Sequence, residues 1–291
     1  MQTDASANNG TLLVPVANQE TADRQLETAI DIASERCARI VVCYVQRVPP
    51  SLSLEDGRDY LLGDEPFALL ETAVEHVEAA GVPATRTIRI ARSVPSGICG
   101  AIDSYDADLA LLGWRGRPPR SGIVLGSHLD VVLRSATCDV LVQRIQTPRP
   151  PVETILVAIA GGPHDVFAAD AAAAISRAQN ASVTLLHVRS RTDADCTREA
   201  ASVALAKAAE SFADDVSTEQ RIIRSDDVAA EITDRTASHD LTLLGTSRGG
   251  FFRRRFLGTV SEAVGRHAEG VVILAQRYEP PTSRFGYLRP W

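Results

Sequence analysis

The sequence lacks any apolar run long enough to span a bilayer, and its first ten residues are polar rather than basic and then apolar. Those absences predict a cytoplasmic chain with no inserted segment. Metal motifs are missing as well: His76, His128, His164, His187, His239 and His267 form no HExxH pair and no His-Cys cluster. The cysteines, Cys37, Cys43, Cys99, Cys138 and Cys196, are scattered, odd in number and without a CxxC pair. They read as small reduced hydrophobes rather than as a disulfide framework or redox centre. Positive charge is in deficit, 30 Lys and Arg against 37 Asp and Glu for a formal charge of −7. This argues against a nucleic-acid partner or an anionic membrane surface. No Ser-His-Asp order or paired carboxylate stands near a loop, so no catalytic nucleophile or base is expected.

What is present is a soluble composition, 45% hydrophobic and 23% charged over 291 residues, enough for two domains with a core each. The apolar run Thr11-Leu-Leu-Val-Pro-Val-Ala17 has the continuity of a strand covered on both faces. Residues 21–35 follow with Leu26, Ala29, Ile30 and Ala33 at helical spacing and Thr21 as the expected cap. A second buried strand, Arg39-Ile-Val-Val-Cys-Tyr-Val45, comes next, and then residues 48–57 show turn chemistry without a period. Helices are predicted over 66–80, 94–104 and 127–135, and strands over 84–91, 109–112 and 139–143, the last at a sheet edge. Buried strands alternating with amphipathic helices predict an α/β fold with a parallel sheet and right-handed crossovers.

After Pro148-Arg-Pro-Pro151, a natural linker, the pattern restarts. Thr154-Ile-Leu-Val-Ala-Ile-Ala160 restates residues 11–17 at an offset of 143, and Leu244-Gly245 restates Leu112-Gly113 at an offset of 132. Pairing Ile222-Ile-Arg-Ser225 with Ile90-Ala-Arg-Ser93 puts all eleven lost residues between the second and third strands. A repeat of this period means duplicated domains, 1–147 and 152–277, followed by a tail over 278–291 that carries Phe285, Tyr287 and Trp291. The tail is expected to be either disordered or an arm that packs on the other domain or a second subunit.

The strand over 109–112 runs into Gly113-Trp-Arg-Gly116 and then, after nine residues, Gly126-Ser127 at a helix start. Glycines let a backbone approach a ligand, and a helix N-terminus presents free N–H groups to phosphate. The spacing is neither the lysine-bearing P-loop nor GxGxxG. With its second copy, Leu241-Thr-Leu-Leu-Gly245 and Gly258-Thr259, the loop Gly-x2-Gly-x9-Gly-Ser resembles the nucleotide loop of the universal stress protein family, and the resemblance covers nearly the whole chain.

The resemblance implies two tandem doubly wound, Rossmann-like domains, each a five-stranded parallel sheet of order 3-2-1-4-5, paired within the chain as single-domain members pair in dimers. The ligand crevice of such a sheet lies where strand order reverses, between the first and fourth strands. Carried onto this chain, it assigns Val16, Ala17, Gly113, Trp114, Arg115, Gly116, Gly126 and Ser127 to ATP or AMP, with Mg accompanying ATP. In the second copy it assigns Gly245, Arg248, Gly249, Gly258 and Thr259. Trp114 is placed either to stack on a base or partner or to bury against the following helix. Two departures count against binding: the Asp of the family pattern PVDGS is Ala17 here and Ala160 in the second copy, and Arg248 stands where the second loop needs a glycine. Asn18 or Gln19 is the candidate substitute for the first, while Gly161-Gly162 keeps the second backbone open. Arg115, Arg117 and Arg120, with Arg253, Arg254 and Arg255, either close over phosphate, dock an acidic partner, or remain solvated. The SGGxDS and HxGH motifs of enzymes on related folds are absent, so at most slow incidental hydrolysis is expected. Two readings follow: a stress-response or regulatory protein holding a nucleotide in its first domain, or a pseudo-dimeric interaction module that binds none. The Gly-Trp-Arg-Gly-Arg-Pro loop resembles universal-stress domains attached to amino acid transporters, so the module's partner would be a separate membrane transporter. Further pairing into a homodimer is compatible with either.

Overall fold

The computed structural model describes residues 10–115, 127–146, 149–191, 197–212, 215–246 and 259–280, leaving out the side chains of Ser127 and Thr259. The first half runs β1 (Thr11–Val16), α1 (Gln19–Glu35), β2 (Arg39–Arg47), α2 (Leu54–Leu61), α3 (Glu65–Ala79), β3 (Ala84–Ala91), α4 (Val94–Ser104), β4 (Leu109–Trp114), α5 (Ser127–Ser135) and β5 (Asp139–Arg144). The second runs β6 (Thr154–Ala158), α6 (Pro163–Gln179), β7 (Ser182–Ser190), α7 (Arg198–Ala209), β8 (Thr218–Ser225), α8 (Val228–Thr236), β9 (Leu241–Gly245), α9 (Thr259–His267) and β10 (Val271–Gln276). No described helix is long and apolar enough to cross a membrane.

Each half has the strand order 3-2-1-4-5, and the two sheets join edge to edge into one ten-stranded sheet. The strand over 139–143 was expected at an edge, but β5 pairs antiparallel with β10, Gln143 opposite Ile273 and Val140 opposite Gln276. The reason is in the residues: β5 is buried along nearly its whole length, too apolar to leave a row of unpaired amides in water. The true edges are β3 and β8, whose charged and polar residues are partly or fully exposed.

Helices cover both faces. Strand residues such as Leu12, Val14, Leu111, Ile155 and Ile273 join α1, α3, α6 and α7 in one core that runs across both halves. Their neighbours Leu13, Ala110, Leu112, Leu156 and Leu274 face α4, α5, α8 and α9. The halves also cap each other's helices. Arg144 at the end of β5 is buried and donates to the carbonyls of Gly265 (3.2 Å), Ala268 (2.6 Å) and Gly270 at the end of α9. Gln276, its counterpart in β10, donates to the Leu133 carbonyl of α5 at 2.6 Å.

The duplication is visible in hydrogen bonds. Asp108 Oδ2 accepts from the Thr11 amide at 2.8 Å and seats the start of β1. Asp240 Oδ2 does the same for β6, accepting from the Glu153 and Thr154 amides at 3.0 and 2.9 Å. Strand register also relocates the lost residues. The offset is 143 at Cys43 and Leu186, 134 where they pair with Thr87 and Arg221, and 132 at Leu109 and Leu241. Nine residues are therefore lost between the second and third strands and two more within the following helix, 11 residues long as α4 and 9 as α8. Ile222 corresponds to Ile88, two positions from the sequence match, because the recurring Ile-x-Arg-Ser spelling is local coincidence.

Two local expectations need correction. Asn18, not Thr21, caps α1: its Oδ1 accepts from the Thr21 amide at 3.1 Å and the Thr21 hydroxyl at 2.9 Å. Residues 48–57 are not all loop, because α2 begins within them, capped by Ser53, whose Oγ accepts from the Asp56 amide at 2.9 Å. Gly57 disguises this helix. A methyl group there would collide with the buried Val48 side chain, so the glycine marks a close approach rather than a turn.

Candidate functional site

β1 and β4 pair through only Leu12–Leu109 and Leu13–Ala110 and then separate, while β4 stays paired with β5 through Trp114. Gln25 of α1 is wedged at this divergence, 2% exposed, and its Nε2 donates to the Pro15 carbonyl at 3.3 Å and to that of Leu111. A polar side chain on the apolar stripe of Leu26 and Ala29 was the legible signal for it, and it was missed. Val16 is buried at the end of β1, Ala17 is exposed beyond it, and Gly113 sits half-buried on β4. These three assigned residues do come together at the strand-order reversal. Arg115 is exposed just past β4. Beside the mouth, a cavity of about 250 Å³ opens between the starts of α1 and α3, lined among others by Ala17, Asn18, Gln19, Tyr44 and Glu65.

Trp114 does not belong with them. It is 4% exposed in the core between the halves, and a methyl group on Gly265 of α9 would stand 3.1 Å from its ring. It is therefore a core residue rather than a base-stacking one: it shares a cluster with Val132 and Leu133 of the following helix α5 and also packs toward Gly265 and Val264 of the second half. Gly116 and Gly126 lie outside the described residues, as do Arg248, Gly249 and Gly258, together with Arg117, Arg120 and Arg253 to Arg255. Ser127 and Thr259 open α5 and α9 by their backbone.

In the second half the equivalent reversal holds a crevice of about 550 Å³. Its floor is the end of β6 and β9, and α8 and α9 form one wall. Ser261 is buried and donates from Oγ to the Gly245 carbonyl at 2.9 Å, tying α9 to β9. The Gly161-Gly162 backbone, expected to stay open, is closed by Asp165. This carboxylate is 7% exposed, and its Oδ2 accepts from the amides of Ala160, Gly161 and Gly162 at 2.9, 2.7 and 2.9 Å. Gly161 makes the tight loop with φ of +111°. His187 of β7 lines the same crevice; burial pushes its imidazole below the ordinary value, outweighing the opposing charge of Asp165 and its bond to the Ile159 backbone. His164 Nδ1 accepts from the Arg277 amide at 3.0 Å. Asp165 was missed by sequence reasoning, though an acid in the first turn after Gly-Gly-Pro was a signal for it.

Gly245 is required by this arrangement. A methyl group there would stand 2.8 Å from both Asp165 N and His164 C, in the backbone of the first turn of α6, and would also meet Asp165 Oδ1. On Gly113 it would meet only side-chain ends, Ile145 Cδ1 at 2.7 Å and Gln25 Oε1 at 2.8 Å. Gly245→Ala is expected to destabilise by about 1–3 kcal/mol, and Gly113→Ala by less, as read from urea unfolding midpoints. Equal losses would show that the first turn of α6 yields as readily as a side chain.

Two doubly wound half-sheets fused at their fifth strands, with a ligand-sized crevice at a strand-order reversal, define a tandem α/β protein of the nucleotide-fold kind. The model of the universal stress protein family matches residues 8–144 and again 151–275, and the chain belongs to that family. No curated protein sequence matches it. Among solved structures it is similar to a universal stress protein from Archaeoglobus fulgidus DSM 4304, with 20% identity over 93% of this chain and 97% of that one and a TM-score of 0.69. The cytoplasmic domain of a prokaryotic cation chloride cotransporter is similar at 13% identity over 92% and 95% of the two chains, with a TM-score of 0.60. A universal stress protein from Archaeoglobus fulgidus, solved in complex with dAMP, matches 46% of this chain and 96% of its own at 21% identity and a TM-score of 0.36. At these identities the first two likenesses are of fold alone.

Proposed function

We propose that this chain binds an adenine nucleotide, ATP or AMP, at the strand-order reversal of its first half and acts as a cytoplasmic regulatory protein of the stress response. The observation that carries this reading is the parting of β1 and β4 after two paired positions, with Gln25 bonded to both strands at the fork. The cavity of about 250 Å³ beside Ala17 supports the nucleoside half of this reading, and α5 opens at Ser127 with first-turn amides suited to phosphate. Among the described residues no three metal-ligating side chains converge, so a magnesium ion would enter on the triphosphate rather than in a protein cage. The role is binding and not catalysis.

The test is to denature the purified protein, filter it, and identify any released small molecule by absorbance and mass. One adenine nucleotide per chain supports the reading. Gly126→Val, which fills the glycine loop, is expected to abolish nucleotide binding at millimolar concentration while the circular dichroism spectrum is retained. Undiminished affinity in that variant sinks the assignment.

A second reading is favoured by the fused sheet itself: a pseudo-dimer fixed in one chain, whose fold is shared by a cotransporter's cytoplasmic domain, suits a module that works on a membrane transporter without nucleotide. An empty protein with no calorimetric response to ATP or AMP would decide for it.

A further inference from the structure

Beyond Glu279 the sequence runs Pro280-Pro-Thr-Ser-Arg284-Phe285-Gly-Tyr287-Leu-Arg289-Pro-Trp291, of which 281–291 lie outside the described residues. Aromatic side chains strung along a proline-bearing polar segment have no helix or strand period to bury them on one another, so they call for an apolar surface elsewhere. The described chain delivers this segment to one such surface. After β10 the Arg277 amide donates to His164 Nδ1 at 3.0 Å and the Tyr278 amide to Asp139 Oδ1 at 2.7 Å. With two successive amides held, Glu279 comes to the second-half crevice, whose lining also includes His164. The crevice walls are aliphatic: Leu186, Val188 and Leu244 on the sheet side face Val228, Ile232 and Val260 of α8 and α9. Val228 and Val260 are only half-buried, so apolar surface remains at the mouth. Phe285 stands six residues past Glu279, a reach of up to about 20 Å, and a cavity of about 550 Å³ has room for aromatic side chains. Charge agrees with this placement. Arg284 and Arg289 bracket Phe285 and Tyr287, while the crevice lining carries the carboxylates of Asp165 and Glu279.

We propose that the second-half crevice is filled by the chain's own segment 281–291, with Phe285 and Tyr287 seated between β7 and α8. A tether this short holds the aromatic groups at an effective concentration in the millimolar range, so even a weak contact keeps the crevice filled. The two halves then divide the work: the first is left for a ligand from solution, and the second is closed by its own chain. The segment acts as a built-in competitor, and anything else that enters this crevice must first displace it. The proposal does not depend on what the first half binds.

The experiment is photo-crosslinking of the full chain carrying Tyr287→p-benzoylphenylalanine, with adducts mapped by mass spectrometry, alone and combined with Val228→Trp. Adducts within one chain, in a yield independent of protein concentration, are expected on residues 186–190 and 228–232. Val228 is half-buried at the start of α8, where an indole fills the crevice from its rim, and this variant is expected to cut the yield at least about tenfold. Hydrogen exchange gives a second readout on the full chain with Phe285→Ser, Tyr287→Ser and Trp291→Ser together. Its α8 amides are expected to exchange at least about tenfold faster than in wild type, because the wall loses the buried side chains that hold it. The amides of α4, the counterpart helix of the first half, are expected to keep their rates. Adducts between chains would make a second copy the occupant, adducts on the first half would seat the segment on the other domain, and two nucleotides released per chain would put a ligand in the crevice. Each of these overturns the proposal, as does an absence of adducts or α8 exchange indifferent to the three serines. If no nucleotide is released while the adducts fall as described, the first-half reading falls and this one remains.

Discussion

Trp114→Ala is expected to destabilise the protein by about 3–5 kcal/mol, the range for emptying a buried large aromatic site. The ring is 4% exposed and sits in the core shared by Leu112, Val142, Val264 and Leu274, which come from β4, β5, α9 and β10. Its neighbour Gly265 is a helical glycine whose missing methyl group makes the room, since a Cβ would stand 3.1 and 3.4 Å from two ring atoms. A double-mutant cycle separates this contact from general loss of core. In the wild-type background Gly265→Ala gains helix propensity but crowds the indole, so its effect is small. In the Trp114→Ala background the methyl group enters vacated space, and the same substitution is expected to stabilise by about 0.5–1 kcal/mol. Urea unfolding of the four proteins reads both numbers. A loss under about 1 kcal/mol for Trp114→Ala would mean that the halves are held by the sheet alone and that the indole is incidental.

The same tryptophan shows where the sequence stops being legible. Alternation of strands and helices, the linker and the repeat could all be read, because each is a local pattern of period 2, period 3.6 or self-similarity. The join between the halves could not, since the pairing of β5 with β10 brings together residues more than a hundred positions apart and no local pattern records a partner. Trp114, standing inside a glycine loop, therefore suggested a ligand contact or burial on the following helix, while its packing toward a glycine of the other half left no local trace. The site divided in the same way. Gly113, Val16 and Ala17 were legible because glycine spacing and strand ends are sequence features. Asp165 and Gln25 carried only a local hint of a special role, because the role itself arises from a side chain reaching back to carbonyls or amides of another segment, which no local pattern names. The two missing aspartates were read as counting against binding. In the second half an acid five residues later fills that loop from the first turn of α6.

Arg149→Met is expected to destabilise by about 3–5 kcal/mol at neutral pH, because it strands a buried carboxylate. Arg149 comes from the linker between the halves, and its side chain is 4% exposed against 7% for Asp31 of α1. It donates to Thr28 Oγ1 at 3.0 Å and to Asp31 Oδ2, while Gln179 at the end of α6 donates to Asp31 Oδ1 at 2.8 Å. The cluster thus fastens the linker and both central helices at one point. Burial pushes the Asp31 carboxyl above its ordinary value, and Arg149 and Gln179 pull against that. Removing the guanidinium leaves burial and the nearby Glu27 charge with less opposition, so the folded-state value rises further. The sign follows from proton binding. Between the unfolded value near 3.8 and the raised folded value, the native state holds a proton that the unfolded chain has released. Stability conferred by that proton is present below the unfolded value and is lost as pH rises through the folded one. The deficit of Arg149→Met relative to wild type is therefore expected to be full at pH 7 and to shrink as the solution is acidified toward the raised value. Asp31→Asn in the same chain removes the charge but keeps an acceptor for Gln179, and the double variant is expected to recover more than half of the loss at pH 7. A deficit that is independent of pH, or a double variant no better than the single one, would show that Arg149 holds the linker by packing rather than by charge.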